Sequence, residues 1–200
     1  MATRGAYAKG VAKREEILTT ALDVIARNGY RHASVRELAD AVGLSQAGLL
    51  HYFSSKEELF AEVLRKRDEV DLATYGAETG RSAETFFKVI AHNAEVPGLV
   101  QLYAQLALEA VDPAHPAHAY FVRRADAFRD AFADLIREEQ DAGRCDPDLE
   151  PTIAAGLIMA AADGLQTQWL LDPSIDMVGH LMQLWRLLTG ARADAESPSR

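Results

Sequence analysis

The chain has 200 residues, 48% of them hydrophobic, with a formal net charge of −9 and one cysteine, Cys145. That length suits one domain or two small ones, and a lone cysteine excludes an intrachain disulfide. The longest apolar run, Ile153–Ala162, is too short to cross a bilayer, and residues 1–16 lack the apolar stretch of a secretory signal, so a cytoplasmic protein with no membrane partner is expected.

Residues 1–9 read as a flexible tail carrying Arg4 and Lys9. From Lys13 to Arg27, Ile17, Ala21, Leu22, Val24 and Ile25 share one broad face, which predicts a first helix ended by Asn28-Gly29. Tyr30 and Ala33 lead into the next element. Ser34 and Glu37 have the spacing of a capping box, and Val35, Leu38, Ala39 and Val42 follow at helical spacing. Gly43 supplies a left-handed helix end, Leu44 a plug, and Ser45 a second N-cap. Gln46 to Phe53 fits one short helix with Leu49, Leu50 and Phe53 as its apolar positions. Ser54 or Ser55 caps the next, where Glu57 and Glu58 suit the positive helix end. Two short helices around a tight glycine turn form a helix-turn-helix, whose second helix can enter the DNA major groove.

The run GLSQAGLLHYFSSKEELFAEVL resembles the DNA-binding signature of TetR/AcrR-type bacterial transcription regulators. Gly43, Leu44, Ser45, Leu49, Phe53, Ser55, Lys56, Glu57 and Leu59 match that pattern. Ala47 stands where the family usually has Gly, Gly48 where it often has Ser or Thr, and Leu50 where it usually has Tyr. The resemblance implies an all-α protein with two parts. Residues 1–56 would form a three-helix helix-turn-helix domain, and residues 57–200 a larger helical ligand-binding and dimerisation domain.

Charge is distributed accordingly. Residues 1–56 hold eight Lys or Arg against five Asp or Glu, and the remainder thirteen against twenty-five. A locally basic head on an acidic body attracts phosphates while limiting nonspecific association. Gln46 and Gly48 are the candidates near base edges, because Gln can pair bidentately with adenine and Gly permits close approach, and Ala47 between them belongs to the same DNA-binding set. Ser34, Arg36, Ser45, His51, Tyr52 and Lys56 are assigned to phosphates of a double-stranded operator.

Beyond Lys56 the pattern stays helical. A connecting helix to about Leu72 turns Leu59, Phe60, Val63 and Leu64 inward, and residues 74–81 read as a linker. Helices follow over Ala83–Val96, Pro97–Val111 and Ala117–Ala142, then a loop over 143–151, then a final pair over Thr152–Leu171 and Ile175–Thr189. The polar tail from Ala191 reads as disordered. In the final pair, small residues alternate with bulky ones, which suits either a four-helix bundle made by two protomers or an ordinary core helix. The resemblance favours a homodimer, with Leu157, Ala161, Gly164, Leu181, Leu184, Trp185 and Leu188 at the interface. It also implies a small-molecule effector. Phe87, Tyr103, Phe121, Phe128, Met159 and Trp169 are the candidate pocket walls, and His92, Arg124, Asp163 and Gln166 the polar handles.

Other chemistries have little to stand on. His115 and His118 flank Pro116 without a third evident ligand, so no metal is expected. No G-x-S-x-G, P-loop or G-x-G-x-x-G occurs, and neither an enzyme nor a cofactor is expected. The expectation is a ligand-responsive repressor that binds a pseudo-palindromic operator as a homodimer. The alternatives are a small-molecule or protein-binding helical module whose DNA reading has decayed, and a helical-bundle enzyme or metal protein.

Overall fold

The computed structural model describes residues 3–29, 33–77 and 80–190, with side chains from residue 7 onward. Among the described residues there are nine helices and no strand. They are α1 (Thr3–Asn28), α2 (Val35–Ala41), α3 (Gln46–Leu50), α4 (Lys56–Tyr75), α5 (Ala83–Asn93), α6 (Pro97–Glu109), α7 (His118–Asp141), α8 (Pro151–Leu171) and α9 (Met177–Thr189). None is long and apolar enough to cross a membrane.

Packing divides the chain into two units. The first comprises residues 1–80 and 92–123, the second residues 81–91 and 124–200. In the first unit α1 packs on α2, α4 and α6. Its inner face, Ile17, Leu18, Ala21 and Ile25, is essentially solvent-free, as are Leu38, Leu49, Phe53, Leu59, Val63, Leu64 and Leu102. Each of these valine, leucine, isoleucine and phenylalanine side chains contributes about 1.5–3 kcal/mol by leaving water. A tight joint sits where α6 begins. A Cβ at Gly98 would come within 2.7 Å of the Gly29 Cα, and Gly29 itself has φ +80°. Only a residue without a side chain lets the start of α6 approach the end of α1 this closely.

The second unit is built on Phe132, Ala133 and Ile136 of α7 and on Ala154, Ala155 and Ile158 of α8, with Phe86 of α5 meeting Phe132 edge-to-face at 4.7 Å. Gln140 donates to the carbonyls of Asp146 (2.9 Å) and Leu149 (2.8 Å) and so ties down the loop before α8. Glu150 caps α8 by accepting from the Ile153 N–H at 2.7 Å, and Asp176 caps α9 by accepting from the Gly179 N–H at 2.9 Å. Gly190, at φ +67°, closes α9 in the left-handed conformation.

Several expected boundaries move. The tail expected over residues 1–9 is helical from Thr3, and α1 carries Lys9 on an exposed turn. The third helix stops at Leu50, three residues short, because Phe53 reaches the core from the turn that follows. Thr74 and Tyr75 belong to α4 and not to the linker, and α5 ends at Asn93. The packing units also divide the chain elsewhere than residue 56, since α4 and α6 bury their apolar faces in the same core as α1. Tyr30 and the tail from Ala191 lie outside the described residues.

Candidate nucleic-acid interface

The helix-turn-helix is assembled by local hydrogen bonds. The Ser34 hydroxyl accepts from the Glu37 N–H at 3.2 Å, and the Glu37 carboxylate accepts from the Ser34 N–H at 2.9 Å, completing the expected capping box. Gly43 turns the chain at φ +68°, and the Leu44 N–H returns to the Ala39 carbonyl at 2.9 Å. Ser45 then opens α3 by accepting from the Gly48 N–H at 3.0 Å. Leu49 and Phe53 anchor this segment at 0% and 1% exposure.

With those two anchors inward, the opposite face of α3 points to water. Gln46, Ala47, Leu50 and His51 are all exposed, at the i, i+1, i+4, i+5 spacing of one helix face. Leu50, read in the sequence as one of the apolar positions of this helix together with Leu49 and Phe53, is 39% exposed. Its spacing from Gln46 and Ala47 was the signal. Gly48 is half-buried, and a Cβ there would stand 3.2 Å from the Ser45 Oγ, so its small size serves the cap.

The phosphate candidates differ in what they already hold. Ser34 and Ser45 are exposed but serve as caps. Arg36 is exposed, with Asp40 3.9 Å away one turn on. Lys56 is exposed at the first turn of α4, its ammonium 5.1 Å from the Phe60 ring and without an ion pair among the described residues. Tyr52 is half-buried against the first core, with its ring edge-on to His51 at 6.0 Å. It is thus partly a packing residue, which its sequence position did not reveal.

Arg14 was also missed. Its guanidinium lies 4.2 Å from the centre of the Phe53 ring, donates to the Tyr52 carbonyl, and pairs with Glu58 at 3.2 Å and Glu62 at 3.4 Å. One side chain of α1 therefore fastens the end of α3 to α4. Glu58 also accepts from the Ser54 N–H at 2.7 Å and from the Ser54 hydroxyl. These hydrogen bonds, Ser54's foremost and then Arg14's, hold its carboxyl below the usual carboxylate range.

The effector candidates are distributed between the two units. In the first, Tyr103 (8% exposed) faces Phe121 at 5.5 Å, and His92 holds Glu95 at 3.0 Å while meeting the Tyr75 ring at 5.5 Å. In the second, the Arg124 guanidinium lies 4.4 Å from the Phe128 ring centre, Phe87 sits beside Phe86, and Met159 packs on the core. Gln166 and Trp169 are buried, and the Gln166 Oε1 has no hydrogen-bond partner. Asp163 is exposed on α8, so it is not an interior handle within this chain. The buried Arg67 and Asp71 of α4 went unnoticed, though they continue the inward spacing of Phe60 and Leu64. His115 and His118 are engaged locally: His115 Nδ1 accepts from the Ala117 N–H at 3.2 Å, and His118 Nδ1 lies 2.8 Å from the Ala110 carbonyl.

Among the interface candidates, Leu157 is 50% exposed, while Ala161, Gly164, Leu184, Trp185 and Leu188 are half-buried. Leu181, at 2% exposure, is a core residue of its own chain and presents no surface to a partner, contrary to its expected place at the interface. Ile153 (65%), Leu171 (83%) and Leu187 (71%) are more exposed than any residue in that set.

Comparison with known proteins agrees with this architecture. Residues 17–63 match the family model described as bacterial regulatory proteins, tetR family. The repressor AcnR of Corynebacterium diphtheriae is 39% identical over 80 residues, 40% of this chain and 41% of AcnR. This chain thus matches under half of that relative's length. The repressor KstR2 of Mycobacterium tuberculosis is 29% identical over 150 residues, 70% of this chain and 72% of KstR2. FadR of Thermus thermophilus, a TetR-family repressor solved with lauroyl-CoA, shares the fold at a TM-score of 0.62 and 18% identity, covering 94% of this chain and 98% of that one. The helix-turn-helix segment is thus similar to that of the bacterial tetR-family regulatory proteins, and the all-helical architecture is shared with a solved member of that family.

Proposed function

We propose that this protein is a cytoplasmic, ligand-responsive transcription regulator, a repressor that occupies a pseudo-palindromic operator as a homodimer and leaves it when a small molecule binds. The observation that carries the reading is the exposed face of α3, where Gln46, Ala47 and Leu50 stand over the buried anchors Leu49 and Phe53. A helix held rigidly from behind, with an adenine-pairing amide and an apolar side chain suited to a thymine methyl, is built for base edges. Arg36, His51 and Lys56 supply polar contacts for the phosphates.

Two such helices are needed, since one reads only a few base pairs. Ile153, Leu157 and Leu171 form an exposed apolar stripe along α8, with the half-buried Gly164 in line with them, and two copies of it joined with α9 would make a four-helix interface. The half-sites would then lie about 34–36 Å apart or a multiple of that. Repression follows from occupancy of the operator, and release requires a ligand that favours one head spacing over another. AcnR and KstR2 are repressors, and FadR holds an acyl-CoA in the same fold.

The test is selection of bound duplexes from a random pool. A two-fold symmetric consensus is expected. A pool that remains unenriched overturns the reading.

A further inference from the structure

The inward stripe of α4 changes character along its length. Phe60, Val63 and Leu64 are apolar and buried, and the next two positions on that face are Arg67 at 4% and Asp71 at 5% exposure. A charged pair so deep is costly unless its polar atoms are satisfied. Arg67 is not. Its Nη2 lies 3.6 Å from Asp68 and its Nε 3.9 Å from Asp71, yet Nε and Nη1 have no hydrogen-bond partner. The guanidinium stands 5.7 Å from the centre of the Tyr103 ring, and Tyr103 in turn faces Phe121. An arginine with two idle N–H groups, next to aromatic surface, is arranged to meet an acceptor that the polypeptide does not provide.

We infer that Arg67 anchors a ligand site that takes a neutral molecule through a carbonyl oxygen, an amide, ester or ketone, with an apolar body matched to Tyr103 and Phe121. The charge balance selects the neutral class. Arg67 already faces two carboxylates, so a third anion would enter against repulsion, whereas a carbonyl satisfies the N–H groups and adds no charge. This inference rests on the regulator reading above and names the chemistry of its effector.

The probes are octanamide, octanoate and octylamine, which share one chain length and differ in head group. Octanamide is expected to raise the melting midpoint of the full-length protein, and to move the Arg67 Nε–H resonance in an arginine-selective spectrum. Octanoate and octylamine should do neither. Because Arg67→Met alone would strand Asp71, the comparison variant is Arg67→Met with Asp71→Leu, which removes both charges together. It should melt cooperatively and lose the octanamide shift.

No amide-selective shift in the native chain, an unmoved Arg67 resonance, or an undiminished shift in the double variant would each overturn the site. Duplex binding by the same preparations separates the two readings. If native protein and double variant both retain operator but octanamide has no effect, only this site fails. If neither binds any duplex, the regulator reading fails on its own.

Discussion

Lys56 and Gln46 are both exposed, but they carry different information. A lysine facing phosphate contributes the same attraction on every sequence, whereas an amide facing a base edge contributes only on the matching one. Lys56→Ala is therefore expected to weaken binding to all duplexes alike and to reduce the salt-dependence slope by about 0.9 per subunit. Gln46→Ala should leave that slope unchanged and relax the preference at one position per half-site, by about 1–3 kcal/mol of discrimination. Titrations of matched and mismatched duplexes at several salt concentrations measure both; equal losses on every duplex for Gln46→Ala would remove it from the reading face. Steric effects at this scale are equally local. Gly98→Ala places a methyl against the Gly29 Cα and the Ile25 carbonyl, backbone atoms that cannot rotate aside, and should cost about 1–3 kcal/mol. Gly10→Ala, in an open stretch of α1, should instead stabilise by up to about 1 kcal/mol. Urea midpoints of the two variants should move in opposite directions.

At the scale of elements, what was legible depended on whether a residue's partner is near in sequence. Ser34 with Glu37, Ser45 with Gly48, and the turn at Gly43 involve atoms a few positions apart, so spacing alone disclosed them. The length of α3 was not legible, because Leu50 and Phe53 are equally apolar and only the tertiary packing decides which is buried. Thr3 to Val11 has no apolar stripe to announce a helix, and Tyr7 and Val11 are indeed exposed there. Charges on a helix are ordinarily read as solvated, which hid the buried Arg67 and Asp71, and also the role of Arg14, whose partners Glu58 and Glu62 lie on α4. The start of α4 offers a test by pH. Glu58 is held below its ordinary pKa of 4.5 by Ser54 and Arg14, so its contribution to stability is full above that value and is lost as pH falls through the lowered one. Glu58→Gln should destabilise the protein at neutral pH and lose that deficit in acid well below the ordinary glutamate range. Urea melts of both proteins at the two pH values check this; a deficit independent of pH would assign the effect to packing alone.

For the whole molecule, the proposed function requires a base-reading face on one unit and an assembly surface on the other. Along α8, Ala154, Ala155, Ile158, Ala162 and Trp169 are buried in the chain's own core, while Ile153, Leu157 and Leu171 remain in contact with water. This helix therefore carries apolar residues on its outward stripe as well as on its buried face, more than one packing partner can cover. The monomer buries only one side, so a second copy is the natural cover for the other, and the small residues Ala161 and Gly164 allow close approach. Leu157→Glu places a carboxylate at the middle of that stripe without disturbing the inward face. Its burial against a partner copy would cost several kcal/mol, enough to dissociate a dimer at micromolar concentration. Sedimentation should show a folded monomer with unchanged helical content. Operator affinity should fall much further than affinity for a half-site, because the second reading helix no longer arrives at a high effective concentration. A variant that still sediments as a dimer and still binds the full operator would place the assembly surface away from α8.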